Sequence, residues 1–265
     1  MKLGVNHNIS NEEYHSDKEF LSSSAFKMLH KDPSEFYKRY ILGEREVATN
    51  QSALDFGTCA HLALLEPHLF DSSIAEFTGP IKRGKVFDIF KSDNPGKIIL
   101  SSNEIQKLNA LKEAFLSHPH ASILNNCEFE HTLCGIYSSI PVKVRADAIN
   151  IAGGYIADVK TTGYAGDLDT FKTTVEGLYY DLSAALYCHV AEQIYGRPFD
   201  FYFIVLSKND MSCNIYKTSK HTMSDGILKM RQAAEIYMKC QLTNKWEHEN
   251  LDTDEVEDKN QIQEV

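Results

Sequence analysis

The chain has 265 residues, 43% of them hydrophobic, which is ordinary for a globular protein with a proper core. With 37 acids against 27 lysines and arginines its net charge is −10, so composition gives no support to a polyanionic partner. Six widely scattered cysteines (Cys59, Cys127, Cys134, Cys188, Cys213, Cys240) form no C-x-x-C pair, so neither a disulfide framework nor a zinc finger is indicated, and they are read as reduced, mostly buried thiols.

Residues 1–7 lack the apolar core of a signal peptide, and no run approaches 18 apolar residues, so a cytoplasmic location without a membrane partner is expected. Ser22, Ser23 and Ser24 are positioned to cap a helix carrying Phe26, Leu29 and His30. Asp32 and Pro33 begin a second helix with Phe36, Tyr37 and Tyr40. A third helix is expected over residues 57–65. Residues 66–100, rich in proline and glycine, are expected to form loops and short strands. Ile105, Leu108, Leu111 and Phe115 then draw one helical stripe after Ser102 and Asn103. Strands follow from about Phe129, including a hairpin around Gly153 and Gly154. A long helix over residues 175–195 ends at Gly196 and Pro198. A second hairpin (200–207, 212–218) and a last helix (223–240) complete the pattern. Strands bracketed by helices predict an α/β layer fold with a mixed central sheet. Residues 1–244 are expected to form a single domain. Residues 245–265 hold eight acids against Lys245 and Lys259 and are read as a disordered, solvated acidic tail.

The first hairpin carries the chemistry. Val142, Val144, Ala146 and Ala148 alternate with Lys143, Arg145 and Asp147, and on the next strand Ile156, Asp158 and Lys160 alternate with Tyr155, Ala157 and Val159. A two-residue Gly153-Gly154 turn would pair Asn150 with Ala157 and set Asp147 opposite Lys160. Two acids and a lysine on one face could bind magnesium and cut a phosphodiester. The alternative is a surface hairpin whose acids and lysine form exposed pairs worth about 0 to 1 kcal/mol.

Several segments together bear a family resemblance: I-S-N-E-E-Y-H at 9–15, L-S-S-S-A-F-K at 21–27, F-G-T-C-A-H-L-A-L-L-E-P at 56–67, V-R-A-D at 144–147 and D-V-K-T-T at 158–162. The ordered set resembles the exonuclease VIII (RecE) type of PD-(D/E)xK nucleases and, more distantly, lambda exonuclease. The likeness implies a restriction-endonuclease-like core that degrades linear double-stranded DNA from its 5′ ends, leaving 3′ single strands for recombination. It further implies a homo-oligomeric ring threading DNA, a single-strand annealing recombinase as partner, and a phage-like enzyme.

Under that resemblance Asp147 and Asp158 are ligands to Mg²⁺, for which Mn²⁺ is a substitute, and the Val159 carbonyl completes the protein's share. Lys160 orients or deprotonates the attacking water, or stabilises charge on the phosphate. His61 resembles a histidine lying beside the metal, against the reading of a hydrogen-bonded core histidine. Glu130 resembles a further metal ligand, against a solvent-facing carboxylate sharing its strand face with Glu128. Arg145 either reaches a DNA phosphate or forms a salt bridge on the strand. On the long helix the family pattern is Q-x-x-x-Y, and here Ser183 stands in the glutamine's place while Tyr187 matches the tyrosine. Tyr180 and Tyr187 either pack into the core or contact phosphate. Two other readings are an endonuclease or repair nuclease of the same fold, and a catalytically weakened module that binds DNA or a protein.

Overall fold

Short polar residues start the helices: Ser10, Ser22, Asp32, Ser101, Asp167 and Ser219 each accept a backbone N–H from the first turn that follows. The computed structural model describes residues 1–44 and 51–247. It begins with β1 (Gly4–Asn6), α1 (Asn11–Ser16), β2 (Leu21–Ser22), α2 (Ser23–Lys31) and α3 (Pro33–Phe36), which runs into a π-helical turn at Tyr37–Ile41. Next come α4 (Gln51–Leu65), α5 (Phe70–Ser73), β3 (Ile74–Phe77), α6 (Lys85–Asp93), β4 (Ile98–Ser101) and α7 (Ser102–Leu116). The second half contains β5 (Glu128–Tyr137), β6 (Ile140–Asn150), β7 (Tyr155–Thr162), α8 (Leu168–Gly177), α9 (Tyr180–Tyr195), β8 (Asp200–Ser207), β9 (Ser212–Lys217) and α10 (Lys220–Thr243).

These elements build a mixed α/β fold. Among the described residues, seven strands form one sheet in the order β1-β5-β6-β7-β8-β9, with β2 joined parallel to β6. The β7–β8 pair is parallel, joined through α8 and α9, and the other ladders of this path are antiparallel. One face of the sheet packs Val142, Val144, Ile156 and Phe201 against Phe26 and Leu29 of α2, Leu182 and Leu186 of α9, and Met230 of α10. The other face packs Ala148, Ala157, Val159 and Ile204 against Phe56 and Cys59 of α4 and Leu108 and Leu111 of α7. No helix among the described residues is long and apolar enough to cross a membrane.

Strand β6 changes partners along its length. Val142 and Lys143 pair with Leu21 and Ser22, whereas only Ala148, Ile149 and Asn150 pair with β7. Beyond Ala148 the two long strands part, leaving a fork with Asp147 at its apex.

The structure corrects several expectations. The hairpin turn has four residues, 151–154, rather than two, so Ala148 pairs with Ala157 and Asn150 with Tyr155. The Asn150 side chain accepts the Gly153 N–H at 2.6 Å, and Gly154 takes φ 72°, a conformation glycine enters without cost. The two-residue slip preserves the faces but brings Asp158, not Lys160, across from Asp147. Nor do Val142, Val144, Ala146 and Ala148 share a face. The first three line the α9 side, and Ala148 lines the α4 side.

The expected 175–195 helix is two helices, broken at Leu178 and Tyr179, where Tyr179 has φ 53°. Residues 66–100 hold the helix α6 besides β3 and β4, which pair in a separate parallel ladder. The expected tail begins too early. Trp246 is 9% exposed and stacks on Phe36 and Tyr37, with ring centroids 5.6 and 5.3 Å apart. The rest of that tail, 248–265, lies outside the described residues.

Candidate active site and metal centre

At the apex of the fork Asp147, 8% exposed, no longer has a ladder partner on β7, and its side chain takes over. The Val159 N–H donates to Asp147 Oδ2 at 2.7 Å, fixing the carboxylate against the neighbouring strand. On the opposite side, β5 pairs Phe129 with Ala148 and His131 with Ala146. Between them Glu130 adopts φ 48°, rare for a residue with a long side chain. That twist takes Glu130 off the face of Glu128, which instead pairs with His131 at 2.9 Å.

Helix α4 supplies the third group. Gly57 and His61, one turn apart, lie along β7: a β-carbon at Gly57 would sit 3.5 Å from Thr161 Oγ1, and His61 Nε2 lies 3.0 Å from the Val159 carbonyl. A carbonyl only accepts, so Nε2 carries the hydrogen, and in the neutral ring Nδ1 keeps its lone pair. That lone pair faces Asp147 Oδ2 at 3.6 Å. One ligand atom each from His61, Glu130 and Asp147 lie within 4.8 Å of one another.

Asp158 and Lys160 sit on the other prong. The Lys160 ammonium contacts Asp158 Oδ2, and no other donor among the described residues reaches this buried oxygen. Burial pushes the Asp158 carboxyl up, with Asp147 adding to the rise and Lys160 opposing it. For Lys160 burial works against the charge, but Asp158 and then Asp147 override it and hold the ammonium above the ordinary lysine range. Burial, with Asp147 second, pushes Glu130 up to about 7 despite Arg145. Crowded acids that resist ionisation together fit a divalent cation. His61, Glu130 and Asp147 would hold it, with Asp158 and the Val159 carbonyl adjoining.

The remaining candidates fall differently. Arg145 Nε lies 3.2 Å from Glu130 Oε2, and its guanidinium also contacts the Asn11 side chain and covers the Tyr14 ring at 4.5 Å. It is engaged within the protein and orients Glu130. Tyr187 is packed edge-on to Phe201 at 6.0 Å, and burial raises its hydroxyl far above the usual range. Ser183 is half-buried one turn before Tyr187, and among the described residues its side chain makes no hydrogen bond. Tyr180 lies beside Lys160, its ring centroid 5.2 Å from that ammonium.

The sequence reading gave Lys27 no role beyond closing the L-S-S-S-A-F-K motif. Its ammonium lies 5.2 Å from the same Tyr180 centroid. Phe26 and Leu29 mark the buried stripe of α2, but nothing in the spacing distinguishes Lys27 from a solvated lysine beside that stripe.

Comparison with known proteins bears on the fold. No curated protein matches the chain significantly. A solved structure titled "Putative exonuclease", from Eubacterium rectale, superposes with a TM-score of 0.67 over 98% of this chain and 96% of that one, at 15% identity. A phage-related exonuclease from Haemophilus somnus 129PT covers 85% of this chain and 96% of its own, at 13% identity. Its TM-score of 0.33 carries no argument about the fold. Residues 22–253 match the family model described as a PDDEXK-like domain of unknown function (DUF3799). With that match spanning most of its length, and the fork, the paired acids and the lysine in place, the chain belongs to this family and through it to the PD-(D/E)xK superfamily.

Proposed function

We propose that the protein is a Mg²⁺-dependent exonuclease of the RecE type, degrading linear double-stranded DNA 5′ to 3′ to leave 3′ single strands. The observation that carries the reading is the convergence, at one sheet fork, of His61, Glu130 and Asp147 with the Asp158–Lys160 pair. The bound cation would polarise the scissile phosphate and lower the pKa of a water. Asp147 and Asp158 would supply the negative charge that draws the cation in, and the cation would in turn hold the phosphate that the carboxylates alone repel. Lys160, charged and anchored on Asp158, stabilises the negative charge that grows on the phosphate as water attacks. His61, with its Nε2–H spent on Val159, would hold the cation through Nδ1, and Arg145, paired with Glu130, would keep that carboxylate in place for it.

Polarity, a ring-shaped homo-oligomer and work alongside an annealing recombinase rest on the resemblance carried by the five sequence motifs. The test is incubation of the purified protein with linear 5′-phosphorylated duplex and with closed circular duplex, in Mg²⁺ or EDTA, beside a Lys160→Ala control. Loss of the linear form alone, abolished by EDTA and by Lys160→Ala, is expected, and end-labelled duplex then gives polarity. Cleavage of the closed circle would make the protein an endonuclease instead. No cleavage with any divalent cation would overturn the enzyme reading in favour of a binding module.

A further inference from the structure

Lys27 presents a positive charge that the described fold does not neutralise. It lies on α2 between Phe26, fully buried, and the half-buried Met28, and among the described residues it makes no hydrogen bond and no ion pair. Two carboxylates act on it at a distance, Asp158 and Asp181, and both are already in contact with other lysines, Lys160 and Lys229. Burial, and then the charge of Lys160, push the Lys27 ammonium down to about 8.

Taking an ammonium out of water is costly unless an anion meets it, and a second ammonium on the same ring adds to that cost. Lys27 is half-buried and the fold spends its nearby acids elsewhere, so an anionic ligand reaching it would supply the missing counter-charge. The Tyr180 ring sets the spacing: each ammonium is 5.2 Å from its centroid, so Lys27 and Lys160 are at most about twice that apart. A separation of that order suits neighbouring phosphates of one strand, each step of which adds a sideways displacement to its axial rise of about 3.4 Å.

We infer that Lys27 binds a non-bridging oxygen of a backbone phosphate neighbouring the scissile one, making it a substrate-positioning residue of the nuclease site. The inference rests on the proposed nuclease function and adds a second phosphate position to it. Tyr180 is then the spacer that holds the two phosphate-facing ammonium groups apart.

Lys27→Met keeps the length of the side chain and removes its charge; Lys27→Arg keeps the charge. Steady-state cleavage of linear duplex is measured in Mg²⁺, and binding in Ca²⁺ across a salt series. For Lys27→Met, KM is expected to rise about tenfold with kcat within about threefold, and the slope of log K against log salt to shrink by about 0.9, the loss of one phosphate contact. Lys27→Arg should restore both. Wild-type KM and salt slope in a folded Lys27→Met would overturn the inference, as would a fall in kcat with the slope unchanged. Should Lys27→Met not fold, Lys27→Gln is read by the same criteria. A wild-type protein that neither binds nor cuts DNA would refute the nuclease reading itself, whereas active wild type with an indifferent Lys27 refutes this inference alone.

Discussion

Asp147 accepts the backbone N–H of Val159 at 2.7 Å, so one carboxylate oxygen both fastens β6 to β7 and stands at the centre of the acid cluster. The site is therefore coupled to the backbone of the strand that carries Asp158 and Lys160. Substitutions at Asp147 can separate the two duties.

Asp147→Asn keeps an oxygen for the Val159 N–H but loses the charge. Its melting temperature should stay close to wild type, while Mg²⁺-dependent cleavage falls at least about a hundredfold, about 2.7 kcal/mol of transition-state stabilisation. Asp147→Ala also leaves a buried donor unmet and should cost a further 1 to 3 kcal/mol or so of stability in chemical denaturation. Equal stabilities for the two variants would show that the Val159 bond contributes nothing.

Glu130 gives the metal-free protein a pH signature. Its carboxyl rises from 4.5 to about 7 on folding, so between those values the folded chain holds a proton that the unfolded chain has released. The contribution of this group to stability is fully present below pH 4.5 and is lost as pH rises through about 7. Glu130→Gln should remove that slope and make the metal-free protein more stable at pH 8, by roughly 1 to 3 kcal/mol. Denaturant midpoints between pH 5 and pH 8 check it, and an unchanged profile would mean that Glu130 ionises freely.

The imidazole predicts a metal preference. His61 Nδ1 adds a nitrogen donor to carboxylate oxygens, which suits Mn²⁺ better than Mg²⁺. In thermal-shift titrations Mn²⁺ should stabilise the protein at lower concentration than Mg²⁺, since a ligand at a hundred times its Kd adds about 2.7 kcal/mol. His61→Ala should weaken Mn²⁺ more than Mg²⁺ and narrow the gap. A gap that persists in this variant would remove His61 from the ligand set.

Gly226 sets the approach of α10 to α9. A β-carbon there would lie 2.1 Å from the Asp181 carbonyl oxygen, a backbone atom that cannot step aside cheaply. Gly226→Ala should therefore destabilise the fold by more than about 2 kcal/mol despite alanine's better helix propensity. Asp181 follows Tyr180 in the first turn of α9, so cleavage should fall as well. Retained stability in urea denaturation would show that α10 can shift without loss.

The sequence reading reached the strands through period-two alternation, and it reached the acid pair because acids interrupting apolar strands stand out. It missed the register because the Asn150 side chain closes a four-residue turn, a local bond that a Gly-Gly pair does not announce. It missed the reversal of faces at Asp147, which falls where β6 parts from β7 and where Glu130 on the facing strand turns left-handed. Helix α6 was hidden by its surroundings: Gly84 precedes it without a side-chain cap, and Val86 and Ile89 face outward. The setting of Lys27 depends on which acids other lysines have already taken, and no spacing rule encodes that.

Trp246, wedged against Phe36 and Tyr37, is the only tryptophan in the sequence. Its indole is thus a built-in fluorescent gauge of whether the segment after α10 is docked on the first helices. Red-shifted emission would mark the moment that contact opens, and near-ultraviolet circular dichroism from the same stack would give a second, independent trace of it.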